Sequence, residues 1–518
     1  MRKRAFVIAG VLLGLLSMGG VAFAAWSALG TGSAYSKARA LPGGTTPSGS
    51  VSGSNVTVTW SQVTFASSNL GAVTGGGYLV KRYASSGGAA ITPNANCATA
   101  VSGSSASLSC TENGVPDGSW QYTVTPALNT WRGAESTKSS TVTVATDVTP
   151  PALTTLEAFD NDHNGKIDHV VATFNENLAT PYTAPNSVWN LTNVPSAGSL
   201  ASVSVSTNQA TLTLTEGSGA ADTSVGAGAS AFKIALAANA NGIRDAAGNQ
   251  SSFAATSVAD KAPPARISMV MQDTSGTAGK VDHVVVTFSE ALASSTDTAP
   301  WTLASVPSNG SLNSVATSAA VATLTLNEGS GAADTAVGSF TVALATSATG
   351  IRDAAGNQSS FVAAAPTDQA KPVVVSITDT NGTTDGLMQA GDTLSITFSE
   401  ALLASSVPTS VAVTENGGNG SATDKLVISG ITSSSDLGVS GSYAGNNKSP
   451  SFGSSTASIS SKQITVTVAG TCTPTTGGSC PPLTGGPGTF VFTPVATLTD
   501  LNGNGATGSF TVVAFRLF

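Results

Sequence analysis

The hexapeptide TFSEAL stands at residues 287–292 and again at 397–402, and the related TFNENL stands at 173–178. Each copy ends a stretch in which apolar and polar residues alternate, most clearly in DTLSITF at 392–398. Alternation with a period of two predicts a β-strand with one buried face. The residues that this phasing assigns to the core are Leu394, Ile396 and Phe398, with Val170, Ala172, Phe174, Val284, Val286 and Phe288 in the sister copies.

Longer identities extend this repeat along the chain. EGSGAADT occurs at 216–223 and 328–335, and GIRDAAGNQSSF occurs at 242–253 and 350–361, whereas a third copy is more diverged. Each copy spans about 110 residues, the size of an immunoglobulin-like β-sandwich, and begins near a proline. The predicted domains are repeat 1 (residues 150–262), repeat 2 (263–368) and repeat 3 (369–518, with insertions).

Residues 41–147, the first module, have a different pattern. VTVTW at 56–60 alternates apolar residues with threonine, which predicts another half-buried strand. With GYLVKRY at 77–83 and QYTVTPA at 121–127, the first module resembles a fibronectin type III domain. The three repeats resemble bacterial Ig-like repeats of S-layer and adhesin-type proteins through TFSEAL and RDAAGN. These resemblances imply an all-β chain of tandem Ig-like and fibronectin type III-like sandwiches.

Composition agrees with this fold class. A chain of 518 residues is too long for a single core, and only 10% of its residues are charged. Its strands are rich in Val and Thr and are separated by Gly- and Ser-rich turns, which is typical of β-proteins. The formal charge of −8 argues against nucleic acid as a partner and against electrostatic binding to anionic lipid.

The N-terminus predicts export. Residues 1–24 combine the basic MRKR with an apolar run and the small residues of Ala22-Phe23-Ala24, which is the pattern of a signal peptide cleaved before Ala25. If it is not cleaved, the run is long enough to anchor the chain in a membrane, and this would be its only membrane contact. The segment and the following AAWSALGTGSAYSKA also resemble exported surface proteins of actinobacteria. An extracellular or cell-surface location is expected in either case.

Four cysteines follow the predicted leader, an even number that suits an exported protein. Three pairings are open to them. We favour Cys97 with Cys110 and Cys472 with Cys480, because each pair closes one short loop. Closing such a loop stabilises a fold by roughly 3 kcal/mol in the chain-entropy description.

The stretch FDNDHNGKIDH at 159–169 contains a candidate calcium site. Its candidate ligands Asp160, Asp162, Asn164 and Asp168 match positions 1, 3, 5 and 9 of an EF-hand loop, and Gly165 matches position 6. Position 12, where a bidentate glutamate belongs, is Val171, and no helical pattern flanks the loop. The alternative is a plain turn, because Asp, Asn and Gly are also the residues that turns favour. No other cofactor is indicated.

Other acidic residues recur at equivalent places in the copies. Glu176, Glu290 and Glu400 form one set, and Asp245, Asp353 and Asp500 form another. One active site does not need three versions, so we interpret these residues as turn caps or as ligands of cations bound where successive repeats meet. The recurring strand histidines His169 and His283 align with Thr393, which predicts an outward-facing position and no catalytic role.

The sequence therefore predicts a non-enzymatic, multidomain extracellular protein that acts as a structural stalk or an adhesin-like array, stiffened by calcium if the loop binds it. Common catalytic and nucleotide-binding motifs are absent from it. The alternative is a glycan-binding accessory protein of a secreted polysaccharide-processing system. A glycan platform usually needs several exposed aromatic side chains, and aromatic residues make up only 6% of this chain. The envelope or extracellular partner, protein or glycan, is not specified by the sequence.

Overall fold

The chain is all-β. The computed structural model describes residues 39–275, 279–382, 384–418, 424–438, 444, 448–474, 480 and 485–518, so the predicted leader (1–24) lies outside the described residues. Within the described residues there is no α-helix, only 3₁₀ turns of three residues each. Accordingly, no helix in the described residues has the length and hydropathy to cross a membrane. The 3₁₀ turns are Leu70–Ala72, Ala95–Cys97, Asn186–Val188, Pro195–Ala197, Gly228–Ser230, Pro307–Asn309 and Ala404–Ser406.

The first module has one three-stranded and one four-stranded sheet. The three-stranded sheet has the order β1-β2-β6, the four-stranded sheet has the order β5-β7-β8 with β9 also on β7, and β3 and β4 form a small hairpin. Trp60 packs against Tyr78, with 5.7 Å between ring centroids, and both are buried. The strands are β1 (Ser48–Ser52), β2 (Asn55–Ser61), β3 (Thr64–Phe65), β4 (Ser68–Asn69), β5 (Gly76–Ala84), β6 (Ser107–Glu112), β7 (Gly118–Leu128), β8 (Trp131–Arg132) and β9 (Val142–Val144).

Repeat 1 is a sandwich of a five-stranded and a three-stranded sheet. Their strand orders are β13-β14-β11-β10-β17 and β12-β15-β16, and all pairs are antiparallel except β10 with β17. Its strands are β10 (Leu153–Phe159), β11 (His169–Phe174), β12 (Trp189–Thr192), β13 (Ser199–Ser206), β14 (Gln209–Thr215), β15 (Lys233–Leu236), β16 (Phe253–Ser257) and β17 (Ala259–Asp260).

Repeat 2 reproduces this sandwich strand for strand, in the orders β21-β22-β19-β18-β25 and β20-β23-β24. The aromatic packing is also the same, because Trp189 meets Phe253 and Trp301 meets Phe361 edge to face, each at 5.9 Å. Its strands are β18 (Arg266–Gln272), β19 (His283–Phe288), β20 (Trp301–Ala304), β21 (Ser311–Ser318), β22 (Val321–Asn327), β23 (Thr341–Leu344), β24 (Phe361–Ala364) and β25 (Thr367–Asp368).

Repeat 3 has a larger main sheet than repeats 1 and 2. Its seven-stranded sheet has the order β26-β27-β32-β31-β28-β29 with β33 on β31, and it is accompanied by a three-stranded sheet β30-β34-β35. Phe490 and Phe492 supply much of its core. Its strands are β26 (Val374–Thr380), β27 (Thr393–Phe398), β28 (Ser410–Asn416), β29 (Lys425–Ile428), β30 (Thr432–Asp436), β31 (Pro450–Ser460), β32 (Gln463–Thr467), β33 (Thr473–Pro474), β34 (Gly488–Pro494) and β35 (Phe510–Phe515).

The strand phasing predicted from the repeats is confirmed. All nine residues assigned to the core in β11, β19 and β27 are buried, with at most 3% of each side chain exposed. His169 and His283 lie on the opposite face, as predicted, but are half-buried because each ring hydrogen-bonds the preceding aspartate, Asp168 and Asp282. The favoured disulfides are present as Cys97–Cys110 and Cys472–Cys480.

Two sequence motifs that repeats 1 and 2 share pack against each other within each repeat. In VPSAGSL (194–200), which recurs as VPSNGSL at 306–312, Ser196 has a positive φ of 53°. The backbone of Gly217 from EGSGAADT lies directly against the Ser196 carbonyl oxygen. A Cβ at Gly217 would overlap that oxygen, so only glycine fits. Gly329 meets Ser308 in the same way in repeat 2, which explains why the two motifs are repeated together.

Contacts divide the described chain into two compact units. One contains the first module up to Pro151 with the loop Arg244–Gln250, and the other contains the rest of the three repeats, Ala152–Ile243 and Ser251–Phe518. The second unit holds the repeat-to-repeat contacts and the acidic loops described next.

Candidate functional site

Repeat 1 meets repeat 2 through a buried chain of hydrogen bonds, which we call junction 1. The Ala265 amide donates to the Ser289 hydroxyl at 2.9 Å, and the Ser289 and Thr223 hydroxyls are 2.6 Å apart. Thr223 in turn donates to Oε1 of Glu290 at 2.6 Å. Thr223 belongs to repeat 1 and is fully buried, whereas the other three residues belong to repeat 2, so this chain crosses from one sandwich to the next.

Junction 2, between repeats 2 and 3, repeats this arrangement. The Val373 amide donates to the Ser399 hydroxyl at 3.1 Å, Ser399 and Thr335 are 2.7 Å apart, and Thr335 donates to Glu400 at 2.6 Å. Thr335 and Ser399 are fully buried and Glu400 is 4% exposed. The same residue types therefore join two successive pairs of repeats.

Each junction glutamate lies in a group of three carboxylates. Glu290 is grouped with Asp260 and Asp353, and within the group the oxygens lie within 4.8 Å of one another. The second group, in junction 2, consists of Asp368, Glu400 and Asp500, all buried. Three anions so close together and away from water repel one another, so some of them must be protonated or neutralised.

Burial is the main cause of a raised pKa at both glutamates. It raises the pKa of Glu290 to about 8, and the carboxylates of Asp260, Asp353 and Asp222 add to the rise. Burial likewise raises the pKa of Glu400 to about 8, with the carboxylates of Asp368, Asp500 and Asp334 adding to it. At neutral pH both glutamates therefore favour the protonated form, in which one proton relieves the repulsion within each group.

The aspartates of these groups cap turns, as one sequence hypothesis proposed. Asp353 accepts hydrogen bonds from the backbone amide and the side chain of Asn357, at 2.8 and 2.7 Å. Asp500 makes the same pair of contacts with Asn504, also at 2.8 and 2.7 Å. The RDAAGN motif of repeat 2 and the segment TDLNGN (499–504) of repeat 3 are thus hydrogen-bonded turns that also present an aspartate to a junction glutamate. These contacts account for the aspartates without a bound ion, although three carboxylates and a hydroxyl are oxygen donors that a hard cation could use.

The candidate calcium loop of repeat 1 connects β10 to β11. Asp160, Asp162 and Asp168 converge there, with carboxylate oxygens within 4.8 Å of one another. The fourth predicted ligand, Asn164, lies beside them and donates its side-chain amide to Asp162 at 2.9 Å and to Glu216 at 2.8 Å. The loop thus brings the predicted ligands together, and it adds Glu216, which the sequence spacing did not indicate.

Sequence reasoning missed the hydroxyl groups and part of the acidic groups at the junctions. Asp260, Asp368, Thr223 and Thr335 belong to the ends and loops of their repeats, where sequence gives no sign of an inter-repeat contact. One signal was present, since Ser289 and Ser399 align with Asn175 in repeat 1. Repeats 2 and 3 each follow another repeat, whereas repeat 1 follows a different module. The residue at this position therefore differs with the kind of domain that precedes the repeat.

The sheets and cores define a chain of tandem β-sandwich domains. No protein-family model matches the sequence, and no curated protein matches it. Among solved structures, the FN1–FN3 domains of chicken CNTN1 match 63% of this chain and 99% of their own chain, with 10% sequence identity and a TM-score of 0.18. The fold assignment therefore rests on the strand pairing described above.

Proposed function

We propose that this protein is a non-enzymatic extracellular or cell-surface array of β-sandwiches that acts as a stalk or an adhesin-like support. The observation that carries the proposal is the recurrence of one buried junction between successive repeats. Flexibly linked domains need only an exposed linker, and their interfaces are small and polar. Here a threonine of one repeat is fully buried against a serine and a glutamate of the next, twice over. Such junctions suit a protein that must hold its domains in a fixed order and orientation.

The acidic groups support a structural role more than a catalytic one. A catalytic pair of carboxylates must reach a substrate, but Glu290 and Glu400 are only 7% and 4% exposed. Their partners are a threonine hydroxyl and the aspartates of capped turns. The presence of the same arrangement at both junctions also fits a joint better than a single active site.

The glycan-binding alternative has less support. Within the described residues, Trp131 is the only exposed aromatic side chain, and 36% of it is accessible. Stacking platforms for sugars need several such rings in a row. A glycan pull-down with the full chain would favour this alternative only if binding were lost in Trp131→Ala.

Loss of one junction hydroxyl is expected to weaken the joint. In Thr335→Val the shape is nearly kept, but Glu400 loses a 2.6 Å hydrogen bond and the Ser399 hydroxyl loses one of its two partners. Leaving buried polar groups unsatisfied costs about 1–3 kcal/mol. Differential scanning calorimetry of the full chain should show repeats 2 and 3 unfolding less cooperatively and at a lower temperature than in wild type.

The matched control for this variant is Thr325→Val, on the half-buried face of β22. We expect it to change stability by less than about 0.5 kcal/mol, as for substitutions away from special contacts. If Thr335→Val behaves like this control, the junction does not couple the repeats and the stalk proposal loses its support.

The location can be tested separately in the native cell. We expect antibody against residues 41–147 to label intact cells or to detect the protein in the culture medium. External protease should also remove the signal from unbroken cells. Recovery of the full-length chain only from the cytosol, protected from protease until lysis, would contradict the proposed extracellular role.

A further inference from the structure

The β10–β11 loop of repeat 1 carries an acidic cluster whose contacts differ from those of the junction groups. Carboxylate oxygens of Asp160, Asp162 and Asp168 lie within 4.8 Å of one another. Oxygen ligands bind Ca²⁺ at about 2.3–2.6 Å, so two ligands on opposite sides of one ion are up to about 5 Å apart. The spacing of the three carboxylates therefore fits a single ion placed among them.

Asp160 provides the independent sign of a ligand. Its side chain is only 3% exposed, and its Oδ2 accepts a hydrogen bond from the Gly165 amide at 2.8 Å. The other oxygen, Oδ1, is buried and has no hydrogen-bond partner among the described residues. Buried polar atoms are nearly always paired, because an unpaired one loses its hydration without compensation. By contrast, none of the buried side-chain oxygens without a partner in the described residues belongs to Glu290, Glu400, Asp353 or Asp500 at the junctions.

The neighbouring groups leave the cluster strongly negative. None of the Lys and Arg ion pairs in the described part of the chain involves these three aspartates. Among the described ion pairs, the basic partner of these aspartates is His169, whose Nδ1 lies 2.7 Å from Oδ1 of Asp168. The loop thus concentrates negative charge around a buried oxygen that lacks a donor.

We propose that this loop binds one divalent cation, calcium by its all-oxygen donor set, through Asp160, Asp162 and Asp168. Asn164 and Glu216 border the ion and complete a hard, acidic surrounding. Calcium accepts six to eight oxygen ligands in flexible geometry, whereas Mg²⁺ demands a compact octahedron that an irregular loop supplies poorly. The expected affinity is that of extracellular modules, with a dissociation constant on the order of 10⁻⁴–10⁻³ M.

The same loop packs against repeat 2, so the ion also acts on junction 1. At Gly165 φ is +91°, and a Cβ added there would lie 2.8 Å from Cδ1 of Ile267 and 3.3 Å from Cβ of Ser289. The Gly165 amide is the donor to Asp160. A cation that fixes Asp160 therefore fixes the segment of backbone that touches the next repeat. This inference deepens the proposed function, and it rests on it only for the supply of millimolar calcium outside the cell.

In repeat 3, a cation of the chain itself pairs with an acidic residue of the corresponding loop. The pairing of β26 with β27 places Asn381 where repeat 1 has Asp160. Asn381 donates to Asp385 at 2.9 Å, and Arg516 pairs with the other oxygen of Asp385 at 2.6 Å. A guanidinium thus supplies the positive charge in repeat 3, and Asp385 provides a matched control for the calcium experiment.

The test uses the full mature chain, stripped with EDTA and dialysed, and isothermal titration with CaCl₂ or MgCl₂. We expect calcium to bind and magnesium to bind at least ten times more weakly. Asp160→Asn, which keeps the shape of the side chain, should weaken calcium binding at least tenfold. Asp162→Ala, at an exposed position, should do the same without any effect on the core. Asp385→Asn should bind calcium like wild type.

Hydrogen exchange of the same samples tests the effect on the junction. At calcium 100 times above its dissociation constant, local opening of the loop should be suppressed about 100-fold, as seen at the Gly165 amide. The Ala265 amide of junction 1 should also exchange more slowly in wild type but not in Asp160→Asn. The proposal is overturned if wild type binds no calcium at ten millimolar, or if both loop variants bind it unchanged. Neither result depends on where the protein is located, so a failure here is distinct from a failure of the extracellular role.

Discussion

In EDTA, the free energy of unfolding of the three repeats is expected to fall as the pH rises from about 6.5 to about 8. The expected slope is about 1.4 kcal/mol per pH unit for each of Glu290 and Glu400, or on the order of 3 kcal/mol per unit together. In a unit of this size such a slope lowers the melting temperature by on the order of 5 °C per pH unit.

The sign follows from the protonation of the two glutamates. Their pKa is raised from 4.5 to about 8 in the fold, mainly by burial and then by neighbouring carboxylates. Between these two values the folded chain holds a proton that the unfolded chain has lost. The stabilisation that comes from these two protons is therefore fully present below about pH 4.5 and is lost as the pH rises toward 8. Asp260 and Asp368, with pKa values raised by burial to about 6, act in the same direction at lower pH.

The measurement is a series of calorimetric melts of wild type and of the double variant Glu290→Gln/Glu400→Gln. Glutamine keeps an acceptor for Thr223 and Thr335 but does not titrate, so the variant should lose most of the slope. Glu415, fully buried in repeat 3 with its pKa raised well above its usual value, acts in the same direction in both proteins and cancels in the comparison. Wild-type stability that stays level or rises with pH would show that the glutamates are ionised in the fold. A rise that is seen only with added calcium, and that the double variant loses, would assign a cation to the junction groups.

Much of the fold could be predicted because one face of each repeated strand is buried. The alternation in β27 fixed the phase of β11 and β19, where a shift by one residue would have exposed Phe174 and Phe288. The pairing of the cysteines also followed from short loops. The packing of Gly217 on Ser196 was present in the sequence as two repeated motifs, but a glycine alone does not reveal what approaches it.

The candidate sites were less predictable, since they depend on contacts between distant residues. The proximity of Asp160, Asp162 and Asp168 could be predicted because all three lie in one loop, where spacing sets the geometry. Thr223 and Glu290 are 67 residues apart and meet only when two sandwiches pack together. Glu216, the residue after β14, reaches the loop only because β14 pairs with β11 in the folded sheet. The spacing of residues along the sequence can predict a site within one loop. A site at a junction also depends on how two whole domains are oriented.

The first module contains a buried ion pair, and removing its cation should lower the stability of that module. Arg82→Met is expected to destabilise the first module by about 3–5 kcal/mol, because it leaves the carboxylate of Glu112 buried without its counter-ion. Arg82 and Glu112 form an ion pair whose side chains are 9% and 2% exposed. Tyr122 donates to the other oxygen of Glu112 at 2.8 Å, and the Arg82 guanidinium lies 4.5 Å from the ring centroid of Trp120.

The preceding residue in the same strand, Lys81, provides the control. Lys81 pairs with Glu135 at 2.8 Å, but these side chains are 41% and 29% exposed. Water screens such a pair, so Lys81→Met should cost no more than about 1 kcal/mol. Hydrogen exchange of the β7 amides, which lie in the centre of the module's larger sheet, measures the unfolding free energy of this module within the full chain.

A second variant separates the lost pair from the lost side chain. In Arg82→Met/Glu112→Gln the buried charge is removed as well, and glutamine still accepts the hydrogen bond of Tyr122. Replacing both members of a buried ion pair is often close to neutral, so the double variant should recover most of the stability that Arg82→Met loses. If the double variant is as unstable as the single one, the cost lies in the packing of Arg82 on Trp120 and not in the isolated charge of Glu112.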